Sequence, residues 1–212
     1  MTDTSHCLSK NISRRQMLVT GLTASLLPGA AMAAADIIVH AQAPRFLGRE
    51  DAPIQVIEFF SMTCSHCASF HKNTFPQIKT QLIDQGVVRF EMRAFPLDGL
   101  ALRAHAMARA VATEKYYPMV AMLLEKQDVW AGAEDPIDAL RKLGRLAGVS
   151  SAEFDKIMRN RLLLESIVEK RQEALRQWEV QATPSFVINN QTVISGSLSF
   201  DEFAEKINAT GT

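Results

Sequence analysis

Cys64 and Cys67, three residues apart, are the side chains of this sequence best suited to chemistry. They lie in Ile54–His71, which reads I-Q-V-I-E-F-F-S-M-T-C-S-H-C-A-S-F-H. The apolar, β-branched run Ile54, Val56, Ile57, Phe59 and Phe60 predicts a strand buried on both faces. Ser61-Met62-Thr63 makes a short connection, and Thr63 as N-cap predicts a helix beginning at Cys64. One helical turn then sets both sulfurs on the same side of the helix start. Unpaired backbone N–H groups and a partial positive charge at that end favour a thiolate, the reactive form of cysteine. Cys64 is expected to be the more exposed, attacking sulfur, and Cys67 the buried, resolving one. His66 lies between them, where an imidazolium N–H would further stabilise the Cys64 thiolate. The alternatives fit less well. A structural bridge between residues so close closes a trivial loop and stabilises little. Zinc wants four ligands, and although His66 and His71 are near, a second C-x-x-C or H-x-H is absent. His71, four residues beyond Cys67, reads as a packing histidine.

Glu58 is an acid inside the apolar strand, where a carboxylate is costly unless paired or shifted in pKa. Further along, Thr183-Pro184 precedes a second apolar run, Ser185-Phe186-Val187-Ile188. Glu58-Phe59-Phe60, Cys64-Ser65-His66-Cys67 and Thr183-Pro184-Ser185-Phe186 together resemble the DsbA branch of the thioredoxin superfamily. The likeness runs from about Ala52 to the C-terminal helix. Members of that branch usually carry Cys-Pro-His-Cys, so Ser65 departs from the pattern. The resemblance implies a protein thiol–disulfide oxidoreductase that needs no cofactor or metal. It also implies proton transfer by Glu58 at the buried cysteine and a cis peptide bond before Pro184. Thr183 would offer its backbone to an extended substrate peptide, as in strand addition, beside Ser65 and the sulfurs. Implied partners are cysteine-containing exported proteins and a membrane reoxidant like DsbB. An isomerase or reductase of the same superfamily is the nearer alternative, and a redox-independent chaperone or metal-binding module the more distant one. Met62, in the loop before the cysteines, is a candidate for an apolar substrate surface.

The elements that must position these residues follow from periodicity. Arg45 to Pro53, with Gly48, reads as a turn before the buried strand. After the cysteine helix, Pro76 kinks it or opens a second segment ending near Gly86. Val87 to Phe95 alternates apolar and charged residues, predicting a strand with one wet face. From Leu100 to Trp178 the period is helical. Expected helices include Leu102–Ala110, Met119–Leu124 and Ile137–Leu146, then one opened by the Ser150/Glu153 capping box, then Leu162–Trp178. Ser185–Ile188 and Thr192–Ile194 flank Asn189-Asn190-Gln191 as a hairpin. Ser199 and Glu202 form a capping box for the last helix. Strand, cysteine helix, strand, helical block, hairpin, helix is the order of an α/β thioredoxin fold with an inserted all-helical domain. The expected boundaries are a thioredoxin-like domain from 52–98 and 181–212, a helical insertion at 99–180, and an N-terminal arm at 34–51.

Residues 1–33 read as an export signal rather than as part of the fold. Lys10 to Arg15 form a positive region with paired arginines, Met17 to Leu27 is weakly apolar, and Ala31-Met32-Ala33 is a small-residue cleavage site. The paired arginines and mild hydrophobicity favour a twin-arginine (Tat) signal over a Sec signal or a retained anchor. Periplasmic location is the expectation. Cleavage would also remove Cys7, leaving Cys64 and Cys67 as the mature chain's cysteines. The formal net charge of zero gives no electrostatic case for nucleic acid or an anionic membrane. About 18 mature residues precede the thioredoxin portion, too few for the dimerisation domain that isomerases of the resembled superfamily carry; a monomer is expected.

Overall fold

The computed structural model describes residues 41–210. The expected export signal at 1–33 and the first part of the expected arm, 34–40, lie outside them. Strand β2 (Ile54–Phe60) runs into helix α1 (Ser65–Asn73), and α2 (Phe75–Ile78) widens into a π-helical turn over Lys79–Ile83. Strand β3 (Val88–Ala94) follows, and then the helical block. That block comprises α3 (Gly99–Ala110), α4 (Thr113–Glu125), α5 (Gln127–Ala131), α6 (Pro136–Leu146), α7 (Ser151–Arg159) and α8 (Arg161–Trp178). The hairpin β4 (Ser185–Ile188) and β5 (Thr192–Ser195) and helix α9 (Phe200–Thr210) close the fold. This is the thioredoxin arrangement with a helical insertion. The Ser150/Glu153 and Ser199/Glu202 capping boxes both form. Asn189 and Asn190 take the left-handed conformation that turns the hairpin.

A two-residue strand, β1 (Phe46–Leu47), pairs antiparallel with β3 and gives the sheet order β1-β3-β2-β4-β5. β2 is parallel to β3 and antiparallel to β4, so the strand leading to the cysteines is the central one. The sequence shows only a turn at 45–53, because two residues carry no readable alternation. Arg45, just before β1, is buried and donates to the backbone oxygens of Ala108, Arg109 and Val111 at the end of α3. Close contact at Gly48 is possible because its φ is +91° and a Cβ there would come within 2.5 Å of the Val88 oxygen.

Both faces of β2 are covered, as the apolar run requires. Ile54, Val56 and Phe60 join the main core with Cys67 and Phe70 of α1, and Phe203 of α9. Ile57 and Phe59 face a second cluster with Phe95, Ala174 and Val180. The main core continues without a break into Met107, Trp130, Leu140 and Phe154 of the helical block. β3 departs from the expected wet face. Glu91 is buried and accepts from Arg93 at 2.8 Å, and the Arg93 guanidinium lies over Trp178 at the end of α8. The alternation is real, but the returning helix covers the charged side. α4 also begins well before Met119, with Pro118 on its exposed side.

Phe186 of β4 is fully buried, its ring 4.9 Å from Phe70 and 5.5 Å from Phe203. It therefore joins the cysteine helix to the last helix through the sheet. Phe186→Ala should lower unfolding free energy by about 3–5 kcal/mol in denaturant titration. A loss below about 1 kcal/mol would show that α9 is held some other way.

Candidate active site

Cys64 is the N-cap of α1, and Thr63 has a different task from the one its type suggests. The Cys64 side chain makes no capping bond, while the Thr63 hydroxyl donates to Asp98 at 2.7 Å. Asp98 in turn caps α3 by accepting from the Ala101 N–H at 2.7 Å. The helix consequently starts one residue later than expected, with both cysteines still in its first turn. Both are free thiols; Cys64 is 8% exposed and Cys67 is wholly buried. Met62 is also wholly buried, so it is core and not substrate surface.

Thr183 and Pro184 are joined by a cis peptide bond, and this loop lies directly against Cys64. In the thiol form, Cys64 Sγ–H donates to the Thr183 carbonyl oxygen at 3.2 Å. The pair is electrostatically asymmetric. The Cys64 pKa is lowered to about 5, first by hydrogen bonding from the Cys67 side chain. Hydrogen bonding from the backbone N–H groups of Cys67 and His66 also lowers it, against the cost of burial. Cys67 is pushed far up by burial, by its bond to Cys64 and by the negative charge of Glu58. One sulfur is thus an anion at neutral pH while the other keeps its proton and donates it.

Ser65 and His66 are exposed beside Cys64. The His66 backbone N–H is among the groups that lower the Cys64 pKa. Glu58 is wholly buried, on the face of β2 that carries Val56 and Phe60, and it is paired with His71. His71 was read as a packing histidine from its position alone. Its partner is 13 residues earlier, on a different element, and sequence spacing carries no signal for that. Among the described residues, no three His, Cys, Asp or Glu side chains converge to hold a metal ion.

A profile of the family described as Thioredoxin matches residues 40–209. The chain belongs to the thioredoxin family. A putative protein-disulfide oxidoreductase of Rickettsia bellii (strain RML369-C) is 28% identical over 166 residues, covering 76% of this chain and 64% of that protein. This chain thus spans less than two thirds of that relative's length. Disulfide bond formation protein D of Bacillus subtilis (strain 168) is 29% identical over 168 residues, covering 76% of this chain and 74% of that protein. Among solved structures, Wolbachia pipientis alpha-DsbA1 superposes with a TM-score of 0.72 at 26% identity, covering 80% of this chain and 92% of that one.

Within this thioredoxin-family site, sequence reading missed Gln127. It opens the short helix α5, is buried, and its Nε2 donates to the carbonyl oxygens of Met62 at 2.8 Å and Cys64 at 3.1 Å. The helical block therefore grips the cysteine loop twice, through Asp98 and through Gln127. A glutamine among charged residues before Trp130 gives no sequence cue to this role.

Two outcomes follow from the geometry. In the folded, reduced protein, iodoacetamide at pH 6–7 should label Cys64 and spare Cys67, and thiolate absorbance should titrate near the lowered value of about 5. Because folding depresses the Cys64 pKa from about 8.5 for a free cysteine, reduced-state stability should rise with pH between those values. That contribution is lost as pH falls through about 5. Equal labelling of the two sulfurs would remove this account. Separately, Gln127→Ala takes a donor from two loop carbonyls and should cost about 1–3 kcal/mol, with the Cys64 thiolate titrating higher. A wild-type titration curve in that variant would mean the loop keeps its shape unaided.

Proposed function

We propose that this protein is an exported thiol–disulfide oxidoreductase that introduces disulfide bonds into substrate proteins through Cys64-Ser65-His66-Cys67. The observation that carries the reading is the asymmetry of the pair: Cys64 is lowered to about 5 against the cis Thr183-Pro184 loop, while Cys67 is buried and raised. A substrate thiolate attacks Cys64 Sγ of the oxidised enzyme, forming a mixed disulfide and releasing Cys67. The substrate's second thiolate then attacks its own sulfur in that mixed disulfide, and Cys64 leaves as a thiolate. The two electrons end on the enzyme dithiol. A thiolate as stable as that of Cys64 is a good leaving group, and its stability favours the reduced enzyme, which makes the disulfide oxidising. The names of the Rickettsia and Bacillus relatives are in keeping with this chemistry.

In this reading Cys64 and Cys67 are catalytic, and Glu58 moves the proton at Cys67. His66 and Ser65 border the entering substrate, and Thr183 with Pro184 presents backbone to an extended peptide. Residues 1–33 are a twin-arginine export signal, the site of action is the periplasm, and the protein acts as a monomer. Its partners are cysteine-containing exported proteins and a DsbB-like membrane protein that reoxidises it.

The deciding experiment combines refolding and redox titration of the mature protein. Wild type should oxidise a reduced, unfolded test protein, Cys64→Ser should not, and Cys67→Ala should accumulate mixed disulfides with it. A glutathione titration should place the potential well above that of a reducing thioredoxin. A strongly reducing potential would assign the protein to reduction or isomerisation, and activity surviving Cys64→Ser would point to a chaperone.

A further inference from the structure

The mechanism above leaves the buried acid without a route to solvent, and the structure offers one. His71 Nε2 lies 2.8 Å and 3.1 Å from the two carboxylate oxygens of Glu58. His71 stands four residues after Cys67 on α1, so both side chains leave the same face of the helix toward the sheet. Its ring is held by Phe75 at 4.6 Å, Phe70 at 5.5 Å and Phe60 at 6.3 Å. The imidazole is 7% exposed, and that exposure opens on a groove of about 760 Å³. Phe46, Leu47, Tyr117 and Pro118 bound the groove on the side of β1 and α4. The charged residues that line the groove with His71 are Lys72 and Lys79 on its own side, Arg45 before β1, and Glu114 and Glu125 of α4. Imidazole is the side chain best able to gain and lose a proton near neutral pH. It stands here between a sealed carboxylate and an open groove.

We propose that His71 is a positioning and proton-relay residue, carrying protons between the groove and Glu58 while Glu58 serves Cys67. The inference rests on the oxidoreductase reading. When an incoming thiolate attacks Cys64 Sγ, a new S–S bond forms there, the Cys64–Cys67 bond breaks, and its electron pair leaves on Cys67. The buried Cys67 thiolate takes a proton through Glu58, Glu58 is resupplied from protonated His71, and one proton from groove solvent restores His71. The net change is one proton moved from solvent to Cys67, with charge conserved. In the reverse direction the same groups remove that proton as Cys67 attacks the mixed disulfide. Without His71, each turnover would need solvent to reach a carboxylate that has no exposure of its own.

The test measures opening of the oxidised protein by glutathione, using quenched-flow alkylation and mass detection of the freed Cys67. His71→Gln keeps an N–H toward Glu58 but cannot carry a proton. It should slow opening about 10-fold, less than the ~10²–10⁴ supplied by an acid or base acting directly, because His71 acts through Glu58. The Cys64 thiolate titration should not move, because the donors to that sulfur are elsewhere. His71→Ala leaves a space reached from the groove, and added imidazole should restore its rate in proportion to concentration. A His71→Gln rate equal to wild type overturns the proposal, as does a slowed His71→Ala protein that imidazole fails to accelerate. If His71→Ala does not fold, the His71→Gln rate alone decides. Wild type that glutathione cannot open would instead overturn the oxidoreductase reading itself.

Discussion

The bond from the Cys67 thiol to the Cys64 sulfur is the interaction on which the site depends. It requires two sulfurs one turn apart, one wholly buried and one at the helix end, and the fold is arranged to supply that difference. Burial raises Cys67 and keeps its proton available, and that proton lowers Cys64. The backbone N–H groups of His66 and Cys67 add to the effect because they are among the donors left unpaired at a helix start. Backbone position at the helix start is thus a smaller addition to the effect of the Cys67 thiol.

Holding that geometry is a task shared by both halves of the molecule. β2 delivers the loop from the centre of the sheet, and the cis Thr183-Pro184 loop faces it from the start of β4. The helical block contributes Asp98, through Thr63, and Gln127, through the oxygens of Met62 and Cys64. The Gln127 contacts are buried, and leaving those groups unpaired would cost about 1–3 kcal/mol, whereas the Thr63–Asp98 bond lies at the surface. The inserted helices thus serve as the wall that keeps the Cys64 loop in one shape. Their core is continuous with that of the sheet, which couples packing at Trp130 or Phe154 to the site.

A buried carboxylate under a reactive cysteine is an electrostatic burden unless it is matched. Glu58 raises Cys67 by its charge, which helps that sulfur keep its proton, and its pairing with His71 offsets the cost of sealing it in the strand. Aromatic rings around His71 fix the imidazole in place.

Much of this was legible in the sequence. The run Ile54–Phe60 could only be a strand covered on both faces, and the helical periods and capping boxes placed most of the block. Cys64 and Cys67 fell together at the start of a helix, because local spacing alone sets two side chains on one turn. What the sequence could not determine were contacts between elements far apart in the chain. The wet face expected for β3 became covered because α8 returns over Arg93, and Phe46–Leu47 became a strand because β3 offered it an edge. Thr63 had the right type for a cap, yet Asp98 claimed its hydroxyl. Gln127 and His71 look ordinary in sequence and acquire their roles from Cys64 and Glu58, partners 63 and 13 residues away. Periodicity and capping are short-range and survive in one dimension; hydrogen-bond partnership and burial of charge are decided only when the chain closes on itself.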